Sequence, residues 1–550
     1  MASEEGIGGF GRRRPQFEGD DTTPTTDREL KGWYSYGIAA EVFAVCGVGS
    51  FLPVTLEQLA RERGVLRTDG VTSCMDAQDK TQCVVYPFGR QVSTASFAMY
   101  TFSIAVFFQA LVLVSFSAVA DHGTYRKKFL LTFAYVGAAA SMLFIVVSPS
   151  LYLLGSLLVI IGVASLGSSF VLLNSFLPLL AANDPSVTTH YKNVSHDDED
   201  DDTSYDSSST SAPELALSNK ISSKGVGLGY IAAVFVQVLS IGLLFGLSKV
   251  HFSSSSIPLR SVLFLVGLWW AVFTIPCALW LRDRPAPPLA SSLTRKNRLA
   301  QVAAYIGFAW KSVWTTIKTA AQLRQTLVFL LAWFLLSDAI ATVSGTAILF
   351  ARTELKMDTV PIAILSITAT SSGIAGAFIW PLISRRYDLP THKTIVACIF
   401  LMQVIPIYGL MAYIPFVKKW GVGGLQQTWE IYPLGVVHGF VMGGLSSYCR
   451  SFFGTLVPPG SEAAFFALYA VTDKGSSAIG PAIVGAIVDR TGGLRPAFLF
   501  LAALIAAPVP LVLYVNPEKG RADARALARR MAGGRGGGYE RVSAGETEDE

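Results

Sequence analysis

The sequence contains few charged residues for its length. Of its 550 residues, 15% are charged and 51% are hydrophobic, whereas a soluble chain carries about 25% charged residues. This shortage of charge and the long apolar runs exclude an ordinary soluble globular protein and indicate a polytopic membrane protein. The net charge of +5 is small, so nothing in it indicates a nucleic-acid partner.

Motifs of known enzymes are also missing. The chain has no Gly-x-Ser-x-Gly elbow, no P-loop and no His-Glu-x-x-His, so neither an enzyme nor a P-loop ATPase is expected. No spacing of its residues indicates a metal site, and no cofactor is expected. The first 30 residues are polar and lack the apolar segment of a cleavable signal peptide. The first span is therefore expected to direct membrane insertion.

Six cysteines are scattered along the chain, and only two of them share a predicted loop. A disulfide between these two, Cys74 and Cys83, would require a face of the membrane outside the cytosol. Two free thiols in a loop are an equally good interpretation.

Apolar runs divide the chain into about twelve spans, each near the ~20 residues that cross a bilayer. Six spans precede a long central loop and six follow it. This layout predicts an all-α polytopic membrane protein of the major facilitator architecture, with two six-helix bundles. The predicted spans are residues 34–56, 94–120, 128–147, 151–180, 225–247, 258–281, 325–350, 360–383, 392–417, 429–453, 462–488 and 494–515.

The polar segments set the predicted topology. The central loop is rich in Lys and Arg, so the positive-inside rule places it in the cytosol, and an even number of spans places both termini there. Its stretch 300–320 mixes tryptophans with lysines and predicts an amphipathic helix on the membrane surface. The predicted divisions are a cytosolic tail (1–32), helices one to four (33–182), an acidic, Ser-rich cytosolic loop (183–224), helices five and six (225–281), the central loop (282–324), the C-terminal bundle (325–515) and a cytosolic tail (516–550).

The loop 183–224 contains six consecutive acidic residues, 197–202, followed by many serines. Such a segment cannot bury a core and is predicted to be a disordered linker. A regulatory, phosphorylated segment is the alternative.

Polar residues inside the spans are the candidates for function, because an ionisable residue in hydrocarbon costs about 2.5–3.5 kcal/mol on insertion scales. The first, fourth, seventh and tenth helices of this architecture line the central cavity. Residues of these helices, with two from the eleventh, are the candidates for binding substrate or a coupling ion: Glu41, Asn174, Asp338, His438, Asp473 and Lys474.

Each candidate has a role and a structural alternative. We expect Lys474 to bind a substrate carboxylate and Asp338 or Glu41 to bind an amine. Glu41, Asp338 or His438 would carry a coupled proton. Alternatively, each carboxylate forms a structural ion pair and His438 is hydrogen-bonded for packing.

Other charged residues are predicted to form gates or latches. An acidic residue with nearby arginines after a span resembles the major facilitator inter-helix loop, where the acid caps a helix and pairs with arginine. Another two residues flank a Pro-Pro-Gly turn and are predicted to be a gate rather than a binding site. The loop candidates are Asp121, Arg126, Asp489 and Arg490, and the turn candidates are Arg450 and Glu462.

Seven short segments carry a family resemblance. They are GWYSYGIAAEVF (32–43), LEQLAR (56–61), AILFA (347–351), WEIYP (429–433), SSYCRS (446–451), VPPGSEAAFFALY (457–469) and TDKGSS (472–477). With them the chain resembles the autophagy-related protein 22 family, the fungal vacuolar amino-acid effluxers among the major facilitators.

The resemblance implies a multi-pass protein of the vacuole membrane. It implies secondary transport that exports amino acids such as leucine to the cytosol after autophagic degradation, and the acidic lumen suggests proton coupling. Alternatives are a major facilitator for a sugar, nucleoside or lipid, and a membrane scaffold or nutrient sensor that transports nothing. A hydrolase of autophagic membranes is disfavoured because no nucleophile motif is present.

Overall fold

A computed structural model describes most of the chain between residues 22 and 535. The acidic run 197–202 and most of the central loop lie outside the described residues. Within the outer limits, the residues not described are 67–70, 77–82, 121–122, 188–211, 251–253, 285–306, 308–309, 312–313, 356, 358, 460, 477–478 and 492–493.

Six long helices form the N-terminal half. The first, α1 (Asp27–Arg63), begins after Thr26, whose hydroxyl accepts a hydrogen bond from Glu29 N at 3.3 Å, and is π-helical over Phe43–Phe51. The others are α2 (Thr94–Ala120), α3 (Tyr125–Val146), α4 (Tyr152–Ala182), α5 (Ala212–Ser248) and α6 (Ile257–Trp280).

Six further spans form the C-terminal half, and one helix follows them. The spans are α7 (Arg324–Thr353), α8 (Thr359–Arg386), α9 (Thr391–Tyr413), α10 (Ile431–Thr455), α11 in two pieces (Glu462–Ser476 and Ile479–Thr491) and α12 (Ala497–Tyr514). The following helix is α13 (Pro517–Arg535), and a short helical turn, Pro415–Trp420, lies between α9 and α10.

The predicted all-α polytopic fold is confirmed. In the described part of the chain, nine helices are long and apolar enough to cross a bilayer, and α2, α10 and α11 complete two groups of six. Helices are the form expected of apolar spans, because a helix satisfies its backbone hydrogen bonds internally where no water can.

One boundary differs clearly from the prediction. Helix α5 begins at Ala212, inside the segment predicted to be a disordered loop up to residue 224. Its first turns are polar, so hydropathy alone assigned them to a loop. Ser222 and Ser223 are nevertheless buried, because they pack on the C-terminal half of the molecule.

The described end of the central loop is helical. Trp314 is 60% exposed, and the Lys318 ammonium lies 5.6 Å from the centroid of its ring. This agrees with the amphipathic composition of the segment, while its contact with a membrane surface stays a prediction.

Strands occur between α1 and α2. Strands β1 (Val65–Leu66), β2 (Cys83–Val85) and β3 (Val92–Ser93) form an antiparallel sheet in the order β1-β2-β3. Cys74 and Cys83 form a disulfide, with Cα atoms 5.9 Å apart. We call this side of the bundle the disulfide face. The opposite side, where α1 begins and α12 ends, is the terminal face.

Each half has its own hydrophobic core. Within the C-terminal half, α8 and α10 pack closely along Gly435, Gly439 and Gly443 of α10. A Cβ added at Gly439 would overlap the Ala369 carbonyl oxygen, and one at Gly443 would overlap the Gly373 carbonyl oxygen. Small residues at such a spacing let two membrane helices approach closely.

Candidate substrate site

A narrow pocket lies between the two halves of the bundle. We call it the interface pocket. All but one of its lining residues come from the N-terminal half, on α1, α4 and α5, and the exception comes from α10. The lining residues are Trp33, Gly37, Glu41, Phe170, Leu173, Gly225, Val226 and Arg450.

Helix α1 contributes a stripe of three residues to this pocket. Trp33, Gly37 and Glu41 follow one another at intervals of four, which places them on one helical face. The π-helical stretch begins two residues after Glu41. Such stretches are rare and occur frequently at functional sites.

Close packing with neighbouring helices holds this stripe in place. The Trp33 indole N–H donates a hydrogen bond to the Leu173 carbonyl oxygen at 3.0 Å, and only 1% of Trp33 is exposed. A Cβ added at Gly225 would lie 2.5 Å from the Trp33 ring, and one at Gly229 would lie 2.9 Å from Glu41 Cβ. The glycines of α5 therefore let its backbone support both side chains.

Glu41 and Arg450 place opposite charges in the pocket, one from each half. Glu41, Tyr230 and Tyr469 lie within electrostatic range of Arg450. Tyr230, on α5, lies beside Ser446 on α10. A charge buried in a membrane protein is costly unless an opposite charge or hydrogen bonds offset the loss of water. Glu41 and Arg450 supply each other with the opposite charge.

The two gate or latch candidates beside the Pro-Pro-Gly turn lie in different surroundings. Arg450 and Glu462 are near each other in sequence and both are near the Pro-Pro-Gly turn. Arg450, however, lies inside α10 before its last turn, and its side chain lines the pocket. Glu462 starts α11 and faces the other half of the molecule instead.

Glu462 pairs with Arg126 at the terminal face, and we call this pair the terminal latch. Arg126 Nη2 lies 3.2 Å from Glu462 Oε2, and the two side chains are 3% and 6% exposed. The Arg126 guanidinium also lies 5.7 Å from the centroid of the Phe176 ring. The latch joins the start of α3 to the start of α11, and hence one half to the other.

The remaining latch candidates fall outside what the structure describes. Asp121 is not among the described residues. Asp489 and Arg490 belong to the second piece of α11, which ends at the disulfide face, and their side chains are not described. Their roles stay predictions.

Polar contacts between α5 and α10 extend the closure at the terminal face. The Ser223 and Ser447 hydroxyls lie 2.6 Å apart, and the Ser222 hydroxyl donates to the Ser447 carbonyl oxygen at 3.1 Å. Asn219 also bonds to the hydroxyls of Thr391 and Ser451. Sequence analysis missed this set because it assigned residues 212–224 to a disordered loop.

A second ion pair at the terminal face was also missed. Glu29 accepts hydrogen bonds from Arg284 Nε at 2.9 Å and from Arg284 Nη2 at 2.8 Å, and both side chains are buried. Arg284 Nη2 also donates to the Thr25 hydroxyl. The pair ties the start of α1 to the segment after α6. The only sign of this pair in the sequence was one charged residue near each of two spans, Glu29 before the first and Arg284 after the sixth.

Asp338 and Asp473 lie together beside the interruption of α11. Asp338, 3% exposed, accepts a hydrogen bond from Gly480 N at 3.0 Å. The adjacent Ser337 hydroxyl donates to the Asp473 carbonyl oxygen at 3.1 Å and to the Asp473 carboxylate. Asp338 thus satisfies an N–H at the start of the second piece of α11, where such groups have no partner within the helix.

The other candidates are in different surroundings. Lys474 lies in the first piece of α11, and its side chain is not described. Asn174 follows the pocket residue Leu173, and its buried Oδ1 has no hydrogen-bond partner within the described residues. His438 Nε2 lies 3.1 Å from the Ser344 hydroxyl. On α10 it is roughly 18 Å from Arg450 along the helix, so the structure does not bring it to the pocket.

The family follows from comparison with known sequences. Residues 25–525 match the family described as "Vacuole effluxer Atg22 like". The chain belongs to this family. It is 57% identical to autophagy-related protein 22-2 of Aspergillus fumigatus, over 94% of this chain and 93% of the relative. It is 55% identical to autophagy-related protein 22 of Botryotinia fuckeliana, over 95% and 94% respectively.

Solved structures show the same fold at low sequence identity. A bacterial homologue of the iron transporter ferroportin, in an outward-facing state, matches with a TM-score of 0.55 and 12% identity, over 88% of this chain and 98% of that one. The major facilitator transporter FucP, in the outward conformation, matches with a TM-score of 0.53 and 15% identity, over 89% and 98%. These similarities place this member of the effluxer family in the major facilitator fold.

Proposed function

We propose that this protein is a secondary transporter that exports amino acids from the vacuole lumen to the cytosol. One observation carries the proposal: Glu41 and Arg450 place opposite charges in a single pocket, one from each half of the bundle. An amino acid presents an ammonium and a carboxylate group. Glu41 binds the ammonium, and the planar guanidinium of Arg450 binds the carboxylate in the bidentate way that suits arginine.

This assignment gives Arg450 the role that the sequence suggested for Lys474. Tyr230 and Ser446 support the site from α5 and α10. The family description as vacuole effluxers supports both the vacuolar location and the direction of transport.

The disulfide supports the orientation in the membrane. Disulfides persist in oxidising compartments and are rare in the cytosol, so the disulfide face lies in the vacuole lumen. The terminal face then lies in the cytosol with both termini and the basic central loop, as the positive-inside rule expects. The terminal latch and the contacts between α5 and α10 close the cytosolic side in this conformation.

Transport then proceeds by rocking of the two halves about the pocket, the usual mode of major facilitators. An amino acid from the lumen binds between Glu41 and Arg450 and draws the halves together there. The terminal latch opens, and the amino acid leaves to the cytosol. During this cycle the ion pair of Arg126 and Glu462 breaks, while Glu41 and Arg450 form ionic contacts with the substrate.

Proton coupling is a further part of the proposal, and Asp338 is its carrier. Glu41 is engaged by the substrate and His438 lies away from the pocket. Asp338 is buried and holds the N–H of Gly480 at the interruption of α11, with Asp473 and the Thr342 hydroxyl nearby. Protonation from the acidic lumen removes the charge that holds Gly480 and frees the two pieces of α11 to move.

The first experiment is efflux of preloaded, labelled leucine from proteoliposomes that contain the purified protein. Protein-dependent efflux, faster with an acidic interior, is expected. Glu41→Gln should abolish efflux, while Glu57→Gln, at a half-exposed position further along α1, should not. If well-inserted protein exports no leucine but transports a sugar, nucleoside or lipid, that solute is its substrate. Absence of all transport would favour a scaffold or sensor.

A further inference from the structure

In the stripe on α1, Gly37 leaves a gap, a position without a side chain, between the ring of Trp33 and the carboxylate of Glu41. Trp33 lies one helical turn before Gly37, and Glu41 lies one turn after it, about 6 Å along the helix in each direction. Because all three belong to one helix, their spacing is kept when the two halves of the transporter move. The gap at Gly37 is therefore a fixed feature of the pocket.

Gly37 differs from the glycines around it in what a side chain would meet. A Cβ added at Gly37 has only the Gly225 carbonyl oxygen within 4 Å, at 3.9 Å. A Cβ at Gly32 would lie 2.9 Å from Leu281 N, and those at Gly225 and Gly229 would press on Trp33 and Glu41. These three glycines are needed for helix packing, whereas Gly37 lines the pocket and a Cβ there would be in ordinary van der Waals contact with one carbonyl oxygen.

Three of the side chains around this space are apolar. Phe170, Leu173 and Val226 line it from α4 and α5. The polar atom of Trp33 is already satisfied by the Leu173 carbonyl oxygen, so the ring offers only apolar surface. An amino acid whose ammonium group lies at Glu41 would extend its side chain over Gly37 toward Trp33.

We propose that Gly37 determines the largest amino-acid side chain that the pocket accepts. This inference rests on the proposed function and adds to it a residue that sets specificity. The cavity is about 10 Å³ in this conformation, room for roughly one water molecule, so the side chain of the substrate fills the position beside Gly37 when Arg450 and the C-terminal half move away. A methyl group added there takes the place of part of a large substrate side chain and leaves room for a small one.

The test compares leucine with alanine as substrates of Gly37→Ala in proteoliposomes. One methylene in an apolar pocket changes kcat/KM by roughly 10–200-fold. We expect at least about a tenfold loss for leucine, with less than a twofold change for alanine, and a larger loss for leucine in Gly37→Val. The matched control is Gly242→Ala on α5, where an added Cβ meets nothing within 4 Å and the position is exposed.

A second measurement does not depend on transport. The thiol of Gly37→Cys should react with a small methanethiosulfonate reagent added from the lumenal side, while Ala39→Cys, at a fully buried position of the same helix, should not. An unreactive Gly37→Cys would overturn the inference, as would equal losses for leucine and alanine in Gly37→Ala. A wild-type protein that moves no amino acid would overturn the proposed function instead, and the thiol reaction would still decide whether Gly37 faces the pocket.

Discussion

At the scale of single residues, the arginine on α10 decides the chemistry of the pocket. The acidic residue within electrostatic range of Arg450 is Glu41, which lies far away in the sequence, on the first helix. Two tyrosines also lie within that range. The planar guanidinium of arginine suits the recognition of a carboxylate. The same site offers a carboxylate for an ammonium group.

Arg450→Lys tests this recognition while keeping the positive charge. Lysine cannot form the bidentate contact, and a hydrogen bond to a charged group contributes about 1.5–3 kcal/mol. We expect the KM for leucine efflux to rise about tenfold or more, with unchanged abundance and sorting. Arg385→Gln, at the exposed end of α8, is the matched control. An unaltered KM in Arg450→Lys would remove Arg450 from the substrate site.

Asp338→Asn tests the proton carrier. Asparagine mimics the protonated carboxyl group in shape and cannot titrate, so efflux should lose its acceleration by an acidic interior. Efflux rates at equal and at unequal pH across the membrane measure this, with Glu57→Gln as the control. Persistence of the full gradient response in Asp338→Asn would exclude Asp338 as the carrier.

At the scale of helices, the terminal latch connects elements that are far apart in the chain. It joins the first turns of α3 and α11, and α5 adds hydroxyl contacts to α10 beside it. Removal of one partner from a buried ion pair leaves an uncompensated charge, which costs about 3–5 kcal/mol. The conformation with the terminal face closed should therefore depend strongly on the pair.

Glu462→Gln should shift the population toward the conformation that is open at the terminal face. Alkylation of Ser223→Cys, introduced at a position that is 3% exposed, reports this opening and should become faster. The exchange Arg126→Glu with Glu462→Arg restores a pair of opposite charges and should slow alkylation again. Faster alkylation that the exchange does not reverse would mean that the pair is not the latch.

At the scale of the whole molecule, the two faces of the bundle carry different chemistry. One face has a disulfide and a small sheet, and the other has the start of α1, the end of α12 and the buried pair of Glu29 and Arg284. In intact vacuoles, Cys74 and Cys83 should resist an impermeant maleimide added outside, even after reduction. Opened and reduced vacuoles should react at both. Reaction in intact, reduced vacuoles would place the disulfide face in the cytosol and invert the proposed orientation.

Much of the fold could be predicted from the sequence because hydropathy is a property of local composition. The twelve spans, the division into halves and the family resemblance all follow from segments of neighbouring residues. The start of α5 could not be predicted in this way. Its first turns are as polar as a loop, and the contacts of Ser222 and Ser223 with α10 join residues that are far apart in the chain.

The sequence by itself determined that this protein is a helical membrane protein of two similar halves, because the bilayer imposes length and apolarity on every span. It also identified Glu41 as a candidate. Only the tertiary structure decided which charges meet. Arg450 and Glu462 lie on either side of one turn in the chain. Arg450 nevertheless lines the pocket with Glu41, whereas Glu462 pairs with Arg126. Charges attract through space, and helix packing sets those distances independently of their separation in sequence.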